Sequence, residues 1–308
     1  MKKFNFAIVD NTSYTGKDVY EFYSKALLEG GSKSLFRLVP GVKSTIKMPR
    51  YDAGNIIQDA GCSWAPSGEG TLSQKTLSVC AKSIQLELCA TTFETNFLSE
   101  IMRPGSNNGE VSPAAFTDYM ISEVGRKVQN DLEIAVWQGD AGSTAYPVSI
   151  CDGLQKLMGS TANGTVVTVA GASGGLTAGN IIAEMAKVYA AIPNTVVNSP
   201  NLRLFLPTSA LKLYFQALAT ASAESYFAGA KDPNFLGIPI VEASGMSNNK
   251  MVAAETTNLV LLTDLLSDEE TLNVIPQAAI TGTNTVRIAG NFKFGVDFLV
   301  AEDIVYYS

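Results

Sequence analysis

No histidine occurs among the 308 residues of this chain. Its absence removes the commonest general base and the commonest metal ligand together. The glycine loops that cradle phosphates, Gly-x-Gly-x-x-Gly and Gly-x-x-x-x-Gly-Lys-Ser/Thr, are missing as well. Apolar runs are broken by polar residues well short of a membrane span. The opening Met1-Lys2-Lys3-Phe4-Asn5 lacks the apolar stretch of a signal peptide, which predicts a chain made and used in a cytoplasm. The four cysteines, Cys62, Cys80, Cys89 and Cys151, contain no Cys-x-x-Cys pair, which argues against a four-cysteine zinc site. In a reducing compartment they read as free buried thiols. The chain has no internal repeat and no low-complexity tract.

What is present is apolar surface. The chain is 46% hydrophobic and 17% charged, enough for a large core in one elaborate domain or two subdomains. Charge is placed unevenly. Residues 1–50 hold nine Lys or Arg against four Asp or Glu, while the other 258 hold 13 against 25. An acidic body argues against nonspecific nucleic-acid binding. A basic leading arm fits a segment lying on a neighbouring subunit, or equally an ordinary scatter of surface lysines.

The strongest periodic signal runs from Ser112, a good N-cap, and Pro113, suited to the first helical position. Phe116, Met120, Val124, Val128, Leu132 and Val136 then recur every four residues without a proline among them, predicting an amphipathic helix over 113–137. At helical rise that is roughly 37 Å. A strict i+4 spacing falls short of a full turn at each step, so the stripe winds around the axis. Such a helix suits lying obliquely across a sheet. Gly139 and Gly142 end it.

Thr45–Tyr51 and Leu72–Leu88 read as extended arms around a tip rich in glycine, serine and proline, Ala60–Gly70, with Trp64 in its middle. A hairpin that long has little core of its own and is marginal unless covered; the alternative is an irregular surface loop. Val19–Leu28 suggests a short helix. Beyond Leu154 the pattern becomes α/β. Thr165–Ala170 reads as a strand, and Thr177 caps a helix with Ile181, Ile182, Met185, Val188, Tyr189 and Ile192 on one face. Leu202–Leu206 is a buried strand, and Thr208 caps a helix through Leu218. Further strands are expected at Phe235–Val241, Asn258–Leu262, Leu272–Ile275, Val286–Ala289, Phe292–Val300 and Ile304–Tyr307.

One motif suggests chemistry. Gly171-Ala172-Ser173-Gly174-Gly175 fits Gly-x-Ser-x-Gly, the elbow that exposes a nucleophilic serine between strand and helix. A serine needs a base to take its proton, and only Lys156 or Lys187 lies nearby in sequence. A glycine-rich turn is the simpler reading. Asp268-Glu269-Glu270 reads as a solvated run. Asp140 could bind a cation, but turn aspartates usually hydrogen-bond local backbone.

The long helix closing in Trp137, then Gly139, Asp140 and Gly142, then a short loop to Gly153 and Leu154, resembles the major capsid proteins of tailed bacteriophages. The order of elements from about Thr45 onward resembles them as well. The resemblance implies an α+β Hong Kong 97-type capsid fold. It would comprise an N-terminal arm (1–44), an extended β-hairpin or E-loop (45–78), a P-domain (79–150) with a spine helix (113–137), an A-domain (151–266), and strands returning to the P-domain (267–308). It implies a non-enzymatic chain, without cofactor or metal, that assembles with itself into pentamers and hexamers of an icosahedral head around double-stranded DNA. Partners so implied are copies of itself, a separate scaffolding protein, a portal and decoration proteins. The DNA would be packaged without sequence-specific contact, and no membrane would be involved. The expected location is the virion capsid, assembled in the host bacterial cytoplasm. The hairpin-tip residues Cys62, Trp64, Pro66 and Glu69 would make inter-subunit contacts. An encapsulin-type nanocompartment shell has the same fold and stays open, as does, in another class, a histidine-free serine hydrolase using Ser173. The namesake's shell is cross-linked through a hairpin lysine. From Tyr51 to Gln74 this chain has none, the nearest being Lys47 and Lys75, so a noncovalent shell is expected.

Overall fold

A computed structural model describes residues 12–14, 31–54, 57, 68, 70–89, 113–221, 233–264, 272–277 and 285–308. The early strands are β1 (Thr12–Tyr14), β2 (Arg37–Val39), β3 (Thr45–Ala53), β4 (Gly70–Ser78) and β5 (Cys80–Cys89). Next come helix α1 (Pro113–Gln138), the short α2 (Leu154–Met158), β6 (Val167–Val169), α3 (Ile181–Ala190), β7 (Leu202–Leu206) and α4 (Thr208–Ala221). Among the described residues the elements that follow are strands: β8 (Asn234–Phe235), β9 (Ile238–Glu242), β10 (Met251–Glu255), β11 (Leu259–Thr263), β12 (Leu272–Pro276), β13 (Thr285–Phe298) and β14 (Val305–Tyr307).

The first sheet is organised by β13. Its 14 residues pair antiparallel with β12 and β11 along one edge and with β5 along the other, and β1 and β2 extend the sheet beyond β12 and β11. Alternation along β13 sends Val286, Ile288, Phe292, Phe294, Val296 and Phe298 to one face. That face shares a core with Leu132, Ala135, Val136 and Trp137 of α1, while Val124 and Val128 pack against it half-buried. The i+4 stripe therefore does cross a sheet, as its winding predicts.

The second sheet has the order β6-β14-β10-β7-β9-β8. One face is covered by α3 and α4, with Ile181, Met185 and Val188 packed among Leu204, Leu206, Ile240, Met251 and Val305. Its other face belongs to the α1 core through Phe205, Val252, Ala254 and Tyr306. Burial on both faces explains why Leu204–Leu206 reads as a continuous apolar run rather than an alternating one, Arg203 being the polar residue of β7. The two sheets meet at an aromatic triangle of Phe36, Trp137 and Phe205, with ring centroids 5.4–5.9 Å apart.

Several elements depart from the sequence expectation. The expected strand Leu72–Leu88 is two strands that part at Val79, whose N–H donates to Ser44 O. There Gly295 of β13 passes so close that a Cβ on it would lie 2.4 Å from Ser78 O. Phe235–Val241 is not one strand but a tight hairpin, turned by Leu236 (φ 48°) and Gly237 (φ 86°). Val286–Ala289 and Phe292–Val300 fuse into β13, because Gly290 and Asn291 keep strand pairing with Ile84 and Ser83. Helix α3 begins at Ile181 after Asn180 rather than after Thr177, and Ile182 is exposed.

The thiol expectation is overturned: Cys80 and Cys151 are disulfide-bonded, with Cα atoms 6.0 Å apart. They are 71 residues apart in sequence, so no local spacing announces them. The suggested helix at 19–28, the cap Ser112, the side chains of Phe116 and Met120, and Asp268–Glu270 lie outside the described residues. Among the described residues no helix is long and apolar enough to cross a membrane.

Candidate functional site

The turn after α1 is built by two glycines facing each other. The Gly139 N–H donates to Ala135 O, closing the helix, and the Gly153 N–H donates to Gly139 O at 2.9 Å. A Cβ on Gly139 would sit 2.1 Å from Cys151 O, and one on Gly153 would sit 2.4 Å from Gly139 N. Both positions therefore exclude any side chain. Close approach, and not only the conformational freedom that stops a helix, requires glycine at 139. Trp137 and Leu154 on either side of the turn are fully buried.

The aspartate of the turn faces outward. Asp140 Oδ1 accepts from the Gly142 N–H at 2.9 Å and from Lys156 Nζ at 2.7 Å. Lys156 also donates to Asp152 Oδ1, which accepts from the Ala141 N–H. Lys156 beside Asp140, together with the Gly142 amide, holds the Asp140 carboxyl below the usual carboxylate range. The side chain that sequence allowed as a cation ligand is thus engaged by local backbone and a lysine. All six residues, Trp137, Gly139, Asp140, Gly142, Gly153 and Leu154, converge on this one turn.

A buried polar cluster ties the segment before β2 to α1. The Ser32 N–H and Oγ both donate to Glu133 Oε1, and the Trp137 indole N–H donates to Ser32 Oγ at 2.7 Å. Lys33, almost fully buried, donates to Gln129 O at 3.2 Å. Burial pushes the Lys33 amine down to about 8, against an opposing pull from Glu133. Gly245 lies against the same turn of α1, where a Cβ would be 2.0 Å from Glu133 O. Nothing in the sequence marks this cluster, since Ser32 and Glu133 are 101 residues apart.

The hairpin formed by β3 and β4 pairs in register from Thr45↔Ser78 to Ala53↔Gly70. Its inner half has a small core: Leu77 is fully buried with Val42, Val260 and Leu262, and Ile46 and Met48 pack on them. Lys75 Nζ donates to Asp297 Oδ1 at 2.7 Å and to Phe298 O, and lies 3.6 Å from the centroid of the Phe298 ring. The outer half is different. Tyr51 and Leu72 face each other across the ladder at 68% and 67% exposure, and Ile57 beyond them is at 93%. The tip residues expected to make contacts, Cys62, Trp64, Pro66 and Glu69, lie outside the described residues.

Ser173 sits exposed in the glycine turn between β6 and α3. Tyr307 Oη and Asn249 Oδ1 accept backbone N–H groups of Ala172 and Leu176 on either side of it, a structural role for this loop. Neither lysine can serve as its base. Lys156 bonds Asp140 and Asp152, and Lys187 bonds both oxygens of Glu184. These carboxylates raise both amines above their ordinary range, the opposite of what a proton acceptor at neutral pH needs.

No family model and no curated protein matches the chain by sequence. Solved structures do match by shape. A structure of the satellite phage P4 procapsid with its size-determination protein matches at 11% identity and TM-score 0.59, over 94% of this chain and 98% of that one. The capsid of an empty GTA particle, computed with C5 symmetry, matches at 12% identity and TM-score 0.59, over 92% and 89%. The capsid asymmetric unit of cyanophage A-1(L) matches at 12% identity and TM-score 0.57, over 97% and 96%. The chain has the α+β, Hong Kong 97-type fold of tailed-phage major capsid proteins.

Proposed function

We propose that this chain is the major capsid protein of a tailed bacteriophage, a structural protein that assembles with itself into the pentamers and hexamers of an icosahedral head around double-stranded DNA. The observation that carries the reading is the hairpin: a paired ribbon, rooted in its own subunit, whose outer half holds Tyr51, Leu72 and Ile57 in solvent. Large apolar side chains gain most when a partner removes them from water. On a capsid fold matched over more than nine-tenths of the chain, the partner is another copy. The described tip-side residues and the tip itself, Cys62, Trp64, Pro66 and Glu69, would lie on that neighbour.

In this reading α1 is the spine of a P-domain, residues 151–266 with α3 and α4 form the A-domain that converges at capsomer centres, 267–308 return to the P-domain, and residues 31–36 carry the N-terminal arm onto α1. The shell is held noncovalently, because Lys75 is committed to Asp297 and Phe298 at the hairpin root and Lys47 stands on the inner arm. A scaffolding protein, portal and decoration proteins are the further partners, the DNA is enclosed without sequence-specific contact, and the particle forms in the host cytoplasm. Light scattering and negative-stain imaging of the purified chain, with and without its scaffold, test the proposal. Closed shells or capsomers are expected; a monomer under every assembly condition overturns it. Particles boiled in denaturant should run as one band near 32.7 kDa, or slightly lower where the arm is trimmed.

A further inference from the structure

The disulfide stands at the end of a groove. Its walls are β5 on one side, through Lys82, Ile84 and Leu86, and α1 with the Ser149–Ile150 segment on the other, enclosing about 530 Å³. Cys80 begins β5 and Cys151 follows Ile150, so the bond ties the two walls together. A polar contact across this gap is weak, 3.5 Å from Lys82 Nζ to Ser149 O. Cys151 is 5% exposed and packs its sulfur on Phe294 O, whereas Cys80 is only half-buried. Cys80 is thus the more exposed residue of the pair and Cys151 the more deeply held.

We propose that Cys80 and Cys151 form a reversible redox brace that sets the width of the groove between β5 and α1. Closure begins when the thiolate of Cys80, the more exposed residue, attacks a low-molecular-weight disulfide such as oxidised glutathione and expels one thiol. The Cys151 thiolate then attacks Cys80 Sγ, forms the intramolecular bond and expels the second thiol. Two protons and two electrons pass from the protein to the small disulfide, which leaves as two thiols. Excess small thiol reverses both steps, attacking at Cys80 first. With the brace open, the start of β5 keeps its ladder to β13 but loses its covalent hold on the turn after α1. The groove walls then move independently. This inference rests on the geometry of the two walls and does not depend on the shell reading.

The test equilibrates the full chain in glutathione buffers of graded disulfide-to-thiol ratio. It follows the Cys80–Cys151 peptide by mass spectrometry, and thermal unfolding and amide hydrogen exchange in parallel. The linked peptide should appear and vanish reversibly with the ratio. Reduction should lower the unfolding temperature by about 5–10 °C, the range for a disulfide of ordinary strength in a chain this size. It should speed exchange several-fold in 80–88 and 146–152 while leaving α3 unchanged. A Cys80→Ser, Cys151→Ser variant should show the fast exchange in every buffer. Failure of the linked peptide to form at any ratio overturns the brace. So does unchanged exchange in 80–88 and 146–152 when the wild-type bond is broken, which needs no variant to fold. Persistence of the reductant effect in the double variant overturns it as well.

Discussion

The inner and outer halves of the hairpin share one antiparallel ladder and differ in what surrounds it. Around Leu77, Ile46 and Met48 the ladder is backed by Val42, Val260 and Leu262 and clamped by Lys75 on Asp297. Past Pro49 and Gln74 the same ladder carries Tyr51 and Leu72 with water on them. Strand pairing alone contributes little in water, since each peptide group exchanges water partners for protein ones. Stability therefore comes from the core beneath the inner half, and the outer half holds its shape by continuation. On the proposed reading, a ribbon half-finished within one subunit takes its remaining core from another.

That contrast can be broken hardest at its root. Leu77→Ala should cost about 2–5 kcal/mol of subunit stability in chemical denaturation, because Leu77 has no exposed surface to relax into. A loss under about 1 kcal/mol would show that the inner half has no core of its own. Away from the hairpin, Lys33 is buried against α1 and tests the subunit's own core in another way. Burial holds the folded Lys33 amine at about 8 against an ordinary 10.5. Below pH 8 folded and unfolded chains both carry its proton, and its burial penalty is fully present. Between 8 and 10.5 the folded chain binds fewer protons, so stability should rise with pH by as much as about 3 kcal/mol. Unfolding profiles of wild type and Lys33→Met check this; the rise should vanish in the variant.

Smaller effects sharpen the boundary. Lys75→Gln leaves the largely buried Asp297 carboxylate without its cation and should cost about 1–3 kcal/mol, measured by the denaturant midpoint. Smallest of all on folding, Tyr51→Ser with Leu72→Ser should change subunit stability by less than about 0.5 kcal/mol, as exposed substitutions do. Yet it should abolish or strongly weaken assembly, read by sedimentation. A large loss of subunit stability in that pair would place the outer half in the subunit's own core.

How far these two halves could be read from residue order follows from the range of each interaction. Helix α1 was legible from Val124 to Val136 because its apolar residues repeat within one face, and the buried strands were legible from their runs. The turn at Gly139, Asp140 and Gly153 was legible as a pattern, though the mutual exclusion of Cβ atoms that demands both glycines shows only in three dimensions. Hidden altogether were contacts between residues far apart: Ser32 with Glu133, Cys80 with Cys151, Gly295 passing Ser78. Each is specified by where sheets and helix meet, which no local period encodes. The Leu236-Gly237 turn was missed for a local reason, because leucine rarely takes a positive φ and so does not announce one. Trp64, the tip residue that the sequence marks, lies outside the described residues; the exposed apolar pair on the described ladder is Tyr51 and Leu72.

The central claim is that the outer hairpin finds its core on a neighbouring copy, and amide hydrogen exchange across 70–78 tests it most directly. In dispersed subunits residues 75–78 should exchange slowly and 70–74 fast, with the boundary at the clamp formed by Lys75 and Asp297. On assembly, exchange in 70–74 should slow by at least tenfold while 75–78 changes little. Protection of 70–74 already complete in the isolated subunit, or still absent in the assembled particle, would contradict the account.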